Sequence, residues 1–178
     1  LEEHYTAIAD ASAIPLVLYN VPGRTGVDLL PVTVERLSGH PRIIAIKEAV
    51  RDKGRVEELV ARCGPDYNVL SGDDPTCLRC LELGGRGVVS VASNVAPPQM
   101  HELCAAALEG QMDRALSLND KLQALFEVLA LESNPIPVKW AAYALKLAGP
   151  GIRSPLSELD EVHRGRLKQV LQDMGLAR

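Results

Sequence analysis

Residues 43–48 read Ile43-Ile44-Ala45-Ile46-Lys47-Glu48, and this stretch decides the fold. Four apolar residues, three of them β-branched, lead directly into a lysine. A continuous apolar run of this length predicts a strand that is buried on both faces of a parallel sheet. Lys47 stands at the carboxyl end of that strand, where α/β sheets and barrels carry their chemistry. Partial desolvation there disfavours the ammonium form, and a neutral amine can form a Schiff base with a carbonyl. The alternative is a solvated lysine at the rim of the strand.

The overall composition is that of a globular protein with one sizeable core. The chain has 178 residues, of which 47% are hydrophobic and 24% are charged. A net charge of −4 and scattered lysines and arginines argue against a nucleic-acid surface. The sequence contains no apolar run of the roughly 18 residues that a membrane span requires. A single CxxC, Cys77 to Cys80, predicts buried structural thiols rather than zinc or redox chemistry, and this cysteine usage favours the cytoplasm.

Apolar strand-like runs recur along the first part of the chain and alternate with helical patterns. Strands are predicted at 16–20, 43–48, 69–71 and 87–91, with a loop at 21–26 and a helix opening at Pro75. Such a repeat predicts right-handed βα units and a parallel sheet. After residue 97 only helical signals follow, including a helix at 138–148 and a capping box that begins at Ser157.

The predicted architecture is therefore α/β, with four βα units followed by a helical region. We assign residues 1–96 to the βα units and residues 97–178 to the last barrel helix and a C-terminal helical region. Four strands do not close a barrel of the usual eight, so the sheet is open or half a barrel is absent. The chain begins with Leu1 inside a predicted helix, and we expect an N-terminal portion to precede it; a processed or engineered start is the alternative.

A polar side chain stands at the end of each predicted strand: Tyr19, Lys47, Asp73 with Asp74, and Asn94. In a barrel these ends converge, which would make Tyr19 a neighbour of Lys47 and allow its hydroxyl to shuttle a proton. Arg24, in the next loop, offers a fork for a carboxylate. Alternatively, Tyr19 is a core tyrosine, and the aspartates and the asparagine are capping or loop residues.

Five ordered stretches, which together span essentially the whole chain, resemble the dihydrodipicolinate synthase family. This family belongs to the pyruvate-dependent class I aldolases, alongside N-acetylneuraminate lyase. The stretches are Tyr19-Asn20-Val21-Pro22-Gly23-Arg24-Thr25-Gly26, Ile46-Lys47-Glu48-Ala49, Ser71-Gly72-Asp73-Asp74, Gly84-Gly85-Arg86-Gly87-Val88-Val89-Ser90-Val91 and Asn134-Pro135-Ile136-Pro137-Val138-Lys139-Trp140-Ala141.

The resemblance implies a role for four residues. Lys47 would form the Schiff base with pyruvate, and Tyr19 would relay protons. Arg24 would bind the carboxylate of the aldehyde substrate, and the backbone of Val89 would line the pyruvate pocket. The arginine in this context favours the synthases over the neuraminate lyases, which resemble them elsewhere. No metal or organic cofactor is implied.

The resemblance also implies a fold, a reaction and partners. The fold would be the C-terminal half of a TIM (β/α)8 barrel, without the family's N-terminal loop that holds the pyruvate carboxylate. The reaction would be the condensation of pyruvate with L-aspartate-4-semialdehyde in lysine (diaminopimelate) biosynthesis, by a cytoplasmic homotetramer or homodimer. The alternatives are another pyruvate-dependent aldolase, such as an N-acetylneuraminate lyase-like enzyme, and a non-catalytic fragment that interacts through the helices after residue 97.

Overall fold

A parallel β-sheet organises the first part of the chain. The computed structural model describes residues 1–177 and, for Lys53, the backbone alone; Arg178, the end of the second predicted region, lies outside the described residues. Within that range four strands lie side by side in chain order, and each neighbouring pair is parallel. They are β1 (Leu16–Asn20), β2 (Ile43–Glu48), β3 (Asn68–Ser71) and β4 (Gly87–Val88). The predicted α/β class and parallel βα repeat are confirmed.

Helices precede and connect these strands. They are α1 (Glu2–Ala11), α2 (Pro22–Thr25), α3 (Pro31–Ser38), α4 (Lys53–Cys63), a 3₁₀ turn (Asp74–Thr76) and α5 (Cys77–Glu82). Pro31 occupies the first turn of α3, where a missing N–H costs nothing. Asp52 caps α4 by accepting a hydrogen bond from the backbone N–H of Gly54 at 2.7 Å.

The core lies on one face of the sheet. Strand residues Leu18, Ile46 and Val69 are buried there against Leu37 of α3 and Leu59 of α4. The helices provide this cover because each presents an apolar stripe to the sheet.

The prediction that the strand at 43–48 is buried on both faces holds in part: Ile43, Ala45, Ile46 and Glu48 are buried, and Lys47 is half-buried. Ile44 is 43% exposed, and on β1 Val17 is 50% exposed. An apolar run shows that a strand is suited to burial on both faces. In this chain the helices named above cover only one face of the sheet. The other face is accessible at Val17 and Tyr19 of β1 and, in part, at Lys47 of β2, whereas Ala45 is buried.

The chain divides into two compact units, Leu1–Val89 and a second unit that begins at Ser90. The second unit contains a 3₁₀ turn (Ala92–Asn94) and the helices α6 (Pro97–Leu108), α7 (Met112–Leu129), α8 (Ile136–Ala144) and α9 (Glu161–Asp173). Its core contains fully buried leucines from three helices: Leu103, Leu122, Leu125, Leu167 and Leu171. The assignment of 1–96 and 97–178 as domains remains a prediction.

Two predicted elements of the first unit differ from the structure. The loop at 21–26 contains the short helix α2, which Pro22 opens and which ends at Gly26 in the left-handed conformation (φ 69°). The strand predicted at 87–91 is limited to Gly87–Val88, although the N–H of Val89 still donates to the carbonyl of Ser71. The strand ends early because Ser90 Oγ accepts the N–H of Ser93 and turns the chain.

Two predicted elements of the second unit also differ. The helix predicted at 138–148 runs instead from Ile136 to Ala144, because Pro137 is tolerated in its first turn and Lys146 adopts a positive φ of 60° beyond its end. Asp160, rather than Ser157, caps the last helix and accepts the N–H of Val162 at 3.0 Å. Of the helices in residues 1–177, none is long and apolar enough to cross a membrane.

Candidate active site

Tyr19 and Lys47 form a pair at the carboxyl ends of β1 and β2. They are register partners, and the Nζ of Lys47 lies 4.0 Å from the centroid of the Tyr19 ring. Tyr19 is exposed and Lys47 is half-buried, so a small molecule can reach both from the open face of the sheet. The predicted proximity of these two residues is confirmed. The ring attracts a cationic ammonium, and the same side chain carries a hydroxyl that can donate or accept a hydrogen bond.

Arg24 is the third residue of the four-residue helix α2, immediately after β1. Its side chain is exposed, and among the described residues its guanidinium makes no hydrogen bond or ion pair. The loop itself is held by Thr25, whose hydroxyl donates to the carbonyl of Val27 at 2.9 Å. Arg24 is therefore available to bind an anionic ligand at the same edge of the sheet as the strand ends.

Val89 lies directly after β4, where its N–H donates to the carbonyl of Ser71 at 2.8 Å. This bond extends the β3–β4 ladder by one residue and fixes the backbone of Val89 next to the end of β3. The side chain is exposed. The backbone of Val89 therefore lies at the carboxyl edge of the sheet, next to the end of β3.

The other polar strand ends behave as local structural residues. The carboxylate of Asp73 pairs with the guanidinium of Arg51, with Nε and Oδ2 2.9 Å apart, and its side chain makes no capping bond. Asn94 lies in the second unit, where its Nδ2 donates to the carbonyl of Val91. Capping by Asp73 is therefore wrong, whereas the turn role of Asn94 is confirmed.

The cysteines of the CxxC, Cys77 and Cys80, are buried and are not disulfide-bonded, as the sequence predicts. Across the described part of the chain, no group of three or more His, Cys, Asp or Glu side chains is arranged to hold a metal ion.

A buried polar cluster that the sequence motifs do not include lies directly behind the Tyr19–Lys47 pair. The Nδ2 of Asn20 donates to both carboxylate oxygens of Glu48, at 3.1 and 3.0 Å, and to Oδ1 of Asp28 at 2.8 Å. Arg55 of α4 pairs with Asp28 through two nitrogens, at 3.0 and 2.5 Å, and lies 3.9 Å from Glu48. We call these residues the Glu48 network: Asn20, Asp28, Glu48 and Arg55.

The backbone completes this cluster. Oδ1 of Asn20 accepts the N–H of Leu29 at 2.9 Å, and Oε1 of Glu48 accepts the N–H of Val50 at 2.7 Å. The side chain of Glu48 is fully buried. Among the described residues, the groups at bonding distance from the Glu48 carboxylate are donors, which suits its ionised, acceptor-only form.

The pKa values of the two carboxyl groups, Glu48 and Asp28, shift in opposite directions. Burial raises the pKa of Glu48 above its ordinary value, although the bonds from Asn20 and Val50 and the charge of Arg55 act against that rise. The hydrogen bond from Arg55 lowers the pKa of Asp28. Both carboxyl groups depend on one guanidinium, so the cluster responds as a unit to the loss of any member.

One sequence signal points to this network. Asn20 and Glu48 follow Tyr19 and Lys47 directly, and successive strand residues point to opposite faces. Two polar residues that must then lie on the helix-covered face need partners there. Nothing in the sequence identifies Asp28 and Arg55 as those partners.

Parallel βα units with a lysine–tyrosine pair at the strand ends define an α/β protein with a ligand-binding edge at the carboxyl ends of its strands. A sequence model of the dihydrodipicolinate synthetase family matches residues 1–174. The chain belongs to this family.

Individual relatives agree with that assignment. The chain is 49% identical over 176 residues to the 4-hydroxy-tetrahydrodipicolinate synthase of Halorhodospira halophila, covering 99% of this chain and 59% of the relative. The crystal structure of dihydrodipicolinate synthase from Aquifex aeolicus superposes with a TM-score of 0.96 at 40% identity, covering 98% of this chain and 60% of that one.

A third comparison concerns a protein with a bound ligand. The chloride-inhibited dihydrodipicolinate synthase from Acinetobacter baumannii, complexed with pyruvate, matches with a TM-score of 0.95 at 45% identity, covering 98% of this chain and 60% of that one. The chain thus spans about 60% of the length of the relatives and structures that it matches.

Proposed function

We propose that this chain is part of a 4-hydroxy-tetrahydrodipicolinate synthase, a lyase that condenses pyruvate with L-aspartate-4-semialdehyde in lysine (diaminopimelate) biosynthesis. The observation that carries the proposal is the Tyr19–Lys47 pair at the carboxyl ends of two parallel strands. Membership of the family and the pyruvate complex of the Acinetobacter baumannii relative support pyruvate as one substrate, and the family resemblance implies the aldehyde.

Lys47 acts as the nucleophile. Its neutral amine attacks the ketone carbon of pyruvate, and loss of water from the adduct gives an imine. Loss of a proton from the methyl group then gives an enamine, whose carbon attacks the aldehyde of the second substrate. The amino group of that substrate displaces the Lys47 amine from the imine, closes the ring and frees the lysine. The protonated imine is the electron sink, so the lysine supplies chemistry that other enzymes obtain from a cofactor.

Tyr19 and Arg24 serve this reaction in different steps. The hydroxyl of Tyr19, beside the Lys47 amine, relays the proton that must leave the amine and reach the departing water. The exposed guanidinium of Arg24 binds the carboxylate of the aldehyde substrate as a bidentate fork. The backbone of Val89 lines the pyruvate pocket.

We further propose that the four βα units are the C-terminal half of a (β/α)8 barrel. In a closed barrel the face that carries Tyr19 and Lys47 is the interior, and β1 and β4, now the edges of the sheet, pair with further strands. The exposure of Val17 and Tyr19 supports this arrangement. Residues 1–96 are then half of the barrel, and residues 97–178 are its last helix and a C-terminal helical region. The complete protein is a cytoplasmic homotetramer or homodimer.

The test is a substrate comparison with the protein purified from the complete reading frame that contains this chain. We expect condensation of pyruvate with aspartate semialdehyde and no cleavage of sialic acid. Cleavage of sialic acid without condensation would replace the proposal with a neuraminate lyase-like reaction. Absence of both activities, together with no adduct between the protein and pyruvate, would favour a non-catalytic role.

A further inference from the structure

The Glu48 network occupies the position at which it can orient the two reactive side chains. Asn20 and Glu48 are register partners one step after the Tyr19–Lys47 pair, so their hydrogen bonds join the same two strands. Since alternate strand residues face opposite sides, the network fixes β1 and β2 from behind the reactive face. A slip or twist between these strands moves the phenol relative to the amine.

The same cluster also anchors the segment that carries Arg24. Asn20 holds the end of this segment twice, by accepting the N–H of Leu29 and by donating to the carboxylate of Asp28. Arg55 then ties Asp28 to α4. The three side chains to which we assign chemistry, Tyr19, Lys47 and Arg24, are therefore each adjacent to a member of the network or in a segment that it holds.

The free-energy cost of burying the Glu48 carboxyl indicates that the Glu48 network does more than stabilise the fold. Glu48 is a fully buried carboxyl, and a buried ion pair of this kind is often no more stabilising than apolar residues that fill the same space. Its satisfied hydrogen bonds instead specify one geometry, because each donor and acceptor has a fixed direction. If stability were the only requirement, an apolar residue at the position of Glu48 would be sufficient.

We propose that Glu48, through its bonds to Asn20 and the charge of Arg55, is a positioning residue that holds Lys47 and Tyr19 in the geometry for imine formation. This inference rests on the proposed function. Neither Glu48 nor Asn20 touches substrate, since both side chains lie on the helix-covered face. Loss of the carboxylate is expected to leave the fold in place and to slow the attack on pyruvate.

The experiment separates the rate of imine formation from the fraction of protein that is able to form it. The protein from the complete reading frame and its Glu48→Gln variant are mixed with pyruvate, quenched with borohydride at successive times, and weighed by mass spectrometry. A positioning role lowers the rate constant while the final trapped fraction remains complete. A merely structural role lowers the trapped fraction and leaves the rate constant of the folded molecules unchanged.

We expect a rate constant about ten- to hundredfold lower in Glu48→Gln, the scale of a misplaced reactive group. The matched control is Glu58→Gln, the same change on an exposed residue of α4 that pairs with Arg62. Glu58→Gln should keep the wild-type rate constant. A rate constant in Glu48→Gln equal to that of the control overturns the proposal, whatever the trapped fraction.

A second variant decides the question if Glu48→Gln does not fold. Asp28→Asn is isosteric at a partly exposed position and removes the charge that anchors Arg55. It should also lower the rate constant at full trapped fraction, and an unchanged rate constant contradicts the proposal. Failure of the wild-type protein to form any adduct is a separate result: it rejects the proposed function itself, and this inference with it.

Discussion

The Nζ of Lys47 lies 4.0 Å from the centroid of the Tyr19 ring, and the two residues are register partners on adjacent parallel strands. The ring face of Tyr19 contacts the lysine and attracts its ammonium form, whereas the hydroxyl of the same side chain is the group that we propose to exchange protons with the adduct. Substitutions that keep the ring and remove the hydroxyl separate these two effects.

Tyr19→Phe should slow imine formation by roughly 10²–10⁴-fold, the range for loss of a general acid–base group. The ring and its packing remain, so the thermal midpoint should change little. Time-resolved borohydride trapping measures the rate, and Tyr143→Phe, at an exposed tyrosine of the second unit, is the matched control. Imine formation at the wild-type rate in Tyr19→Phe would remove the hydroxyl from the mechanism.

Arg24→Ala should weaken the use of the aldehyde substrate and leave pyruvate trapping intact. Loss of a charge-assisted hydrogen bond costs about 1.5–3 kcal/mol, which corresponds to about a ten- to hundredfold fall in kcat/KM for aspartate semialdehyde. Steady-state kinetics with each substrate varied in turn measures this. Arg36→Ala, which removes an exposed ion pair with Glu2, is the control and should have no effect. Unchanged aldehyde kinetics in Arg24→Ala would place Arg24 outside the site.

Asp28 should make stability depend on acid pH. Arg55 holds its pKa below the ordinary value of 3.8, so its contribution is complete above that value and is lost as the pH falls through the lower folded-state pKa. We expect Asp28→Asn to lower the free energy of unfolding at about pH 7 and to have a smaller effect at a pH well below 3.8. Urea unfolding at both pH values measures the difference, and an equal effect at both would contradict the ion pair.

Glu48 should contribute a pH dependence of stability with the opposite sign to that of Asp28. Burial raises its folded-state pKa above 4.5, so the folded state binds a proton more readily than the unfolded chain. Relative to Glu48→Gln, the wild-type protein should gain stability as the pH falls through that raised value. The ion pair of Asp28, in contrast, loses its contribution to stability as the pH falls.

Much of the fold could be predicted from local sequence. The apolar runs that end at Asn20 and Glu48 predict the bounds of β1 and β2, and the βα repeat predicts the parallel order that brings Tyr19 to Lys47. Elements governed by a single hydrogen bond were less predictable. The apolar residues after Val88 continue the strand pattern, and only the bond from Ser93 to Ser90 shows that the chain turns there.

The Glu48 network could not be predicted from local sequence for a related reason. Its bonds join Asn20 to Glu48 and Asp28 to Arg55, residues that are far apart in the chain and meet only because of the strand register and the position of α4. A polar residue after an apolar run predicts a strand end, but its partner on another element depends on tertiary packing.

Residues 1–178 expressed alone should not form a competent synthase. The strands β1 and β4 leave two open sheet edges, and apolar edges recruit other chains. We expect association, aggregation or a partly molten state by light scattering and circular dichroism, with turnover far below that of the protein from the complete reading frame. A monodisperse monomer with turnover near that of the complete protein would overturn the half-barrel arrangement.

The most direct test of the account is the identity of the covalent residue. The protein from the complete reading frame is incubated with pyruvate and borohydride, digested, and mapped by peptide mass spectrometry. We expect a reduced pyruvate adduct on Lys47. Lys139, on α8 in the second unit, and Lys53, whose side chain lies outside the described structure, are two alternative positions in this chain. An adduct on either of them, with Lys47 unmodified, would contradict the mechanism.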